Sequence, residues 1–304
     1  MKASRKKPVR KTRILFILSF TLLPVVQWVL FYVYTNFSSI ALAFTGSGGE
    51  FTLGNFARFF REMALETSDI RIAFRNTFIT FAILLVTFPL KVLVSYFIYK
   101  KIPGYSFFRI VFFLPTVLFS VCTAMVFTRI VGVNGAIAKS IGEWLHLGGA
   151  PDLLGDSRFA NITVLLNMIW LQFPGDLIIW SGTFARIPED VLESGRIDGT
   201  TWWTEFTRII VPLIWPTMSL KMVLLFCTIF SASGQVFLLT GGDFGTMTLQ
   251  SWQYIKLLEH SGAYYSSYGY NYLSAVGLLL TVIAVAISLI VRHITDKYFQ
   301  DVEY

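Results

Sequence analysis

The sequence predicts an all-α protein that crosses a membrane six times, and three observations carry that prediction. Of 304 residues, 55% are hydrophobic and 14% charged, with a mean hydropathy of +0.63. A soluble domain carries about a quarter charged residues to stay wetted. Four uncharged runs of 19 to 24 residues recur along the chain, each near the roughly 20 apolar residues that span a bilayer. Seven of the 25 basic residues crowd into the first 13 positions, directly before the first run, which is a topology signal. These features exclude a soluble enzyme, a disordered chain and an ordinary nucleic-acid binder.

A basic tail, residues 1–13, precedes the first span, Ile14–Tyr34. That run is too long for the apolar segment of a signal peptide and no small-residue cleavage site follows it, so an uncleaved anchor is expected. Residues 35–70 form an outer loop with a flexible glycine stretch at Gly46–Gly49 and an amphipathic NFARFFREM. The second span, Asn76–Tyr99, contains Lys91, and the third is Ile110–Thr128. Residues 129–158 read as a partly helical loop. The fourth span, Phe159–Ala185, contains Asp176; the fifth is Met222–Gly242 and the sixth Tyr268–Val291. Residues 243–267 carry an amphipathic LQSWQYIKLLEH, and the following YYSSYGY reads as an interfacial aromatic belt. No loop is long enough to be a separate domain and no fixed-period repeat occurs. Residues 71–298 form the core, and 299–304 a short tail.

Basic residues set the orientation. With the N-terminus inside, 15 Lys and Arg fall on the cytoplasmic side and six on the other. The excess predicts N-in, C-in. Cys122 and Cys227 lie in apolar runs without a CxxC pair and read as buried small hydrophobes.

Lys91 and Asp176 are the ionisable residues inside the spans. Lys91 lies nine residues before Lys100 and Asp176 ten before Arg186. Both therefore sit about 14 Å from the cytoplasmic ends. Equal depth suggests an intramembrane ion pair between spans two and four. The alternative is that Lys91 snorkels and Asp176 faces water.

One cytoplasmic segment, residues 186–212, is organised unlike a loop. Pro188 opens a helix with Glu189 and Asp190 in its first turn. Gly199 ends it, and Thr200 or Thr201 caps a second helix. Trp202, Phe206, Ile209 and Ile210 then fall on one apolar face, and Pro212 ends this helix before the next span. Two short amphipathic helices meeting at a glycine make a rigid knob suited to docking in a partner's groove. An interfacial helix lying on lipid has the same amphipathicity, so spacing must decide between them.

That spacing resembles the "EAA" loop of binding-protein-dependent ABC importers: E-A-A, three residues, G, nine residues, I, one residue, L-P. Here Glu193-Ser194-Gly195 is followed at those intervals by Gly199, Ile209, Val211 and Pro212. Ser-Gly replaces Ala-Ala and Val replaces Leu. Asp198-Gly199 and the WWTEF run resemble the family's extended D-G-A…F stretch. Arg75-Asn76-Thr77 resembles the family's N-T start of the second span, and FFLPTVLF, IWLQFP and LLTGGDFGTMT resemble the carbohydrate class, in particular its maltose-type, first-of-two permease subunits. Gly241-Gly242-Asp243 stands where that class has G-G-P.

The resemblance implies a type I ABC importer permease in the inner (cell) membrane. It would pair with a second permease subunit, two ATPase subunits and an extracytoplasmic solute-binding protein. Glu193, Gly195, Asp198, Gly199, Ile209 and Pro212 would couple it to the ATPase, Glu193 through a basic group there. The chain lacks a G-x-x-x-x-G-K-[ST] loop, so ATP and its Mg are expected on the partners and no cofactor or metal in this chain. No nucleophile–base set is evident, so it reads as a transport subunit and not an enzyme. Sugar sites combine aromatic faces with amides and hydroxyls. Candidates in spans four and five are Trp170, Gln172, Phe173, Phe230, Ser231, Ser233 and Gln235. Rival readings are a permease for amino acids, peptides or phosphate, an intramembrane enzyme, or a channel. Asp176 is the single intramembrane acid, which disfavours the enzyme, and a channel has no use for the knob.

Overall fold

Fourteen α-helices are described in the computed structural model, which places residues 9–46, 48–146, 148–231, 235–261 and 269–298. α1 (Val9–Trp28) continues through a π-helical stretch, Val29–Tyr34, into α2 (Thr35–Ala43). The first apolar span is thus Phe16–Ala43, longer than expected, with residues 35–43 helical instead of part of an outer loop. α3 (Gly54–Ala64) is the NFARFFREM segment, and α4 (Asp69–Tyr99) is the second span.

The third expected span is broken. α5 (Tyr105–Val117) and α6 (Ser120–Val131) are separated by extended Leu118 and Phe119. Pro115 lies in the last turn of α5, where its missing N–H weakens the helix before the break. The membrane-length apolar segment here is Ser120–Trp144, which ends in α7 (Ala136–Trp144). α8 (Ala160–Phe184) is the fourth span.

α9 (Glu189–Ile197) and α10 (Trp202–Thr204) form the knob. A π-helical stretch, Glu205–Ile210, leads from α10 into α11 (Val211–Cys227). The helix that carries the fifth span is Trp202–Cys227, starting about a run's length upstream of Met222–Gly242. Met222 marked the apolar run's start because Lys221 stands before it; in the structure that lysine is inside the span and paired. Residues Ile229–Ser231 form a 3-10 turn, followed by α12 (Val236–Thr240), α13 (Leu249–Ser261) and the sixth span in α14 (Tyr270–Tyr298). Ser233 lies outside the described residues, as do the terminal tails at 1–8 and 299–304 and most of YYSSYGY.

The chain divides into two compact units, Met1–Phe60 with Glu259–Leu279, and Arg61–Leu258 with Leu280–Tyr304. In the first, Asn55 donates to the Ala43 and Thr45 carbonyls, and Asn271 to the Gly46 carbonyl. Its long apolar helix buries no side chain of its hydrophobic window within the chain, as suits a surface facing lipid.

In the second unit α4 packs on α8. Asn76 and Asn161 both donate to the Gly245 carbonyl, at 2.6 and 2.9 Å. Fifteen residues further along each helix, Lys91 meets Asp176. The sequence offset is 85 at both levels, so α4 and α8 run parallel and in register. The shared carbonyl belongs to a tight turn in which Gly241, Gly242 and Gly245 have positive φ, a conformation glycine adopts without a Cβ penalty. Cys122 and Cys227 are free and exposed, not buried. In an apolar span, a small hydrophobe can face lipid as readily as a core.

Candidate functional site

The knob is built by a few local decisions. Pro188 is extended and caps α9, with Glu189 and Asp190 in the first turn, where carboxylates complement the helix dipole. Gly199 follows Asp198 with φ +74°, the left-handed position that ends many helices. The elbow is closed by Thr200, whose N–H and Oγ1 both donate to the Gly195 carbonyl, at 3.1 and 2.8 Å. Thr201 caps the second helix by accepting from the Thr204 N–H.

Across the elbow the motif residues touch. A Cβ on Gly195 would lie 2.8 Å from Ile209 Cδ1, so the small residue lets the two helices close on one another. Leu192, Phe206 and Ile210 enter a core with Phe88, Val92, Tyr96, Trp180, Phe184 and Ile214. The elbow's inner face is thus continuous with α4, α8 and α11.

Its outer face is different. Glu193, Arg196 and Asp198 are exposed, and neither carboxylate has a hydrogen bond or ion pair among the described residues. Ile197 is 86% exposed, and Trp202 and Trp203 are more than half exposed. Trp202, expected on one apolar face with Phe206, Ile209 and Ile210, is only partly covered there, its ring packing on Phe97 of α4 with centroids 5.4 Å apart. Pro212 does not end the helix. Val211 donates to the Phe206 carbonyl five residues back, and this wider turn accommodates a ring that would clash in an α-helix. The knob and the fifth span are one continuous rod.

Two charge clusters lie along the second unit. Lys91 Nζ is 3.0 Å from Asp176 Oδ2, and Lys221 Nζ is 2.6 Å from Oδ1 of the same carboxylate. Their side chains are 5%, 16% and 23% exposed for Lys91, Asp176 and Lys221. One aspartate on α8 thereby ties α4 to α11. Nearer the elbow, Lys100 Nζ approaches Glu205 Oε2 at 2.6 Å. Sequence reasoning missed Lys221, Lys100 and Glu205. The available signal for Lys221 was a charge flanked by apolar residues on both sides; Glu205 sits beside the apolar face in an α register and gave no such signal.

The aromatic and polar candidates are dispersed. Trp170 stacks on Phe127, with centroids 6.2 Å apart, and Phe173 on Phe112 at 5.3 Å. Gln172 is half-buried and Ser231 exposed. Phe230 is buried against Phe74 and Phe78. Gln235 donates to the Ser120 carbonyl and to Thr123 Oγ1, at 2.7 and 2.9 Å, so its amide N–H groups hold the break after α11 against α6. Asn167, also missed, is fully buried on α8 without a partner for either amide atom among the described residues.

Residues 75–300 match the family described as the binding-protein-dependent transport system inner membrane component. The chain belongs to this family. The permease is 23% identical over 284 residues to the multiple sugar-binding transport system permease protein MsmF of Streptococcus mutans, covering 92% of this chain and 95% of that one. It is 29% identical over 230 residues to the osmoprotective compounds uptake permease protein GgtC of Synechocystis sp., covering 73% and 79%. Its fold matches a chain of a bacterial ABC transporter involved in the import of the acidic polysaccharide alginate, with a TM-score of 0.78 at 20% identity over 95% of this chain and 98% of that one. Its six apolar spans accord with a multi-pass protein of the inner membrane.

Proposed function

We propose that this permease forms one half of the translocation pathway of an ATP-driven importer for sugars or oligosaccharides. It lies N-in, C-in, pairs with a second permease subunit, takes solute from an extracytoplasmic binding protein and is driven by two separate ATPase subunits that hold ATP and Mg. Sugar permeases among its relatives support the solute class, and an alginate importer crystallised with a pentasaccharide-bound periplasmic protein supports the binding-protein partner. The observation that carries the reading is the elbow. A two-helix knob with exposed carboxylates that have no partner among the described residues, and with exposed Ile197, Trp202 and Trp203, is fused without a break to a membrane span. Such a surface fits a groove on a soluble partner better than lipid, because the carboxylates would be desolvated against hydrocarbon.

In this reading Glu193 and Asp198 meet basic groups of the ATPase, Gly195 and Ile209 keep the knob compact, and Gly199 sets its angle. Pro212 sits where the knob becomes the span. Gln172 and Ser231 offer hydrogen-bonding groups to solute and Trp170 and Phe173 aromatic faces, while Phe230 and Gln235 shape the path's wall. The test is to purify the transporter through a tag on this chain, reconstitute it with its binding protein and follow uptake of labelled oligosaccharides. ATP-dependent uptake with a second permease and an ATPase pair present is the expected result. A chain that purifies alone, or an uptake of amino acids, peptides or phosphate instead, contradicts it.

A further inference from the structure

Motion of the knob reaches the membrane by an obvious route, the unbroken rod from Trp202 into α11. A second route starts at Glu205. This carboxylate is the first residue of the π-helical stretch, and its side chain is only 4% exposed. Burying a carboxylate is costly unless it is paired. Its partner is Lys100 at the end of α4, whose Nζ stands 2.6 Å from Oε2 and 5.6 Å from the centre of the Tyr96 ring. Beside this pair lie ring contacts, Phe97 against Trp202 at 5.4 Å and Tyr96 against Phe206 at 5.1 Å, and the Tyr96 hydroxyl interacts with the same Glu205 carboxylate. Apolar contacts are non-directional and tolerate sliding. A charge-assisted hydrogen bond is short and directional, and fixes the register between two elements.

We propose that Glu205 and Lys100 are positioning residues that make α4 move with the knob, so that α4 is a second transmission element beside α11. The lever has a natural load. About two and a half turns away on the same helix, Lys91 grips Asp176 on α8, so a shift of α4 is felt at the centre of the span bundle. This inference rests on the transporter reading above.

The experiment uses the complete transporter in proteoliposomes with its binding protein, and reads solute taken up per ATP hydrolysed. Glu205→Gln and Lys100→Met should co-purify the ATPase at unchanged yield and still hydrolyse ATP. Their uptake per ATP should fall about tenfold, the order expected for losing one charge-assisted hydrogen bond. Lys100→Arg should keep the ratio, and the exchange Lys100→Glu with Glu205→Lys should recover most of it. An unchanged ratio in Glu205→Gln overturns the proposal. So does a loss of uptake that only follows a loss of assembled complex, because a merely structural tie would act that way. No ATP-driven uptake by the unsubstituted transporter contradicts the transporter reading itself, a result separable from either of these.

Discussion

The knob and the centre of the spans use the same residue types in opposite ways. At Asp176 one mostly buried carboxylate is shared by two lysines from two other helices, and the group is satisfied within the chain. At the knob Glu193 and Asp198 stand exposed, as do Ile197, Trp202 and Trp203, and neither carboxylate has a partner among the described residues. A paired charge at membrane depth holds a structure together. An unpaired, exposed charge set among bare apolar groups offers a surface to another molecule. The difference teaches where this protein is finished and where it is not.

The comparison breaks most visibly at Asp176. Asp176→Asn strands two ammonium groups at membrane depth and should cost about 3–5 kcal/mol, seen as loss of monodisperse protein in detergent. Replacing all three (Asp176→Leu with Lys91→Met and Lys221→Met) should recover most of it, because well-packed apolar groups can substitute for a buried ionic set. A triple variant no better than the single one would show that the cluster does not act as a unit.

At the knob the larger effects are steric. Gly195→Leu should cost about 1–3 kcal/mol by overpacking against Ile209, measured as a lower unfolding temperature. Gly195→Ala should cost less than about 1 kcal/mol, since only the terminal methyl of Ile209 must swing aside. Gly199→Ala should cost about 1–2 kcal/mol because of its left-handed φ. Last in size is Glu193→Ala, which should change thermal stability by no more than about 0.5 kcal/mol and yet weaken retention of the ATPase during purification. Stability loss at Glu193 without loss of the ATPase would erase the contrast between the two regions.

Much of the fold was legible because hydrophobic run length counts spans directly. The knob was legible because capping residues and glycines act locally: Pro188, Gly199 and Thr201 do what their positions predict. What stayed hidden depends on partners distant in sequence. Lys221 looked like the edge of a span because a lone lysine lowers local hydropathy, and nothing local shows that Asp176 neutralises it. Pro212 looked like a terminator because the π turn that accommodates it leaves no signature in an α-periodic reading. Glu205 begins that turn, and its partner Lys100 lies about a hundred residues away in sequence. The kink after Val117 was missed because Leu118 and Phe119 are as apolar as their neighbours.

The central claim is that the knob's outer face docks on a soluble subunit and does not lie on lipid. The direct test is a photo-crosslinking side chain at position 197, the most exposed apolar site on that face, activated in native membranes. The account predicts one dominant adduct, identified by mass spectrometry as an ATPase subunit and lost when Glu193 and Asp198 are both changed to Ala. Adducts to lipid alone would contradict it.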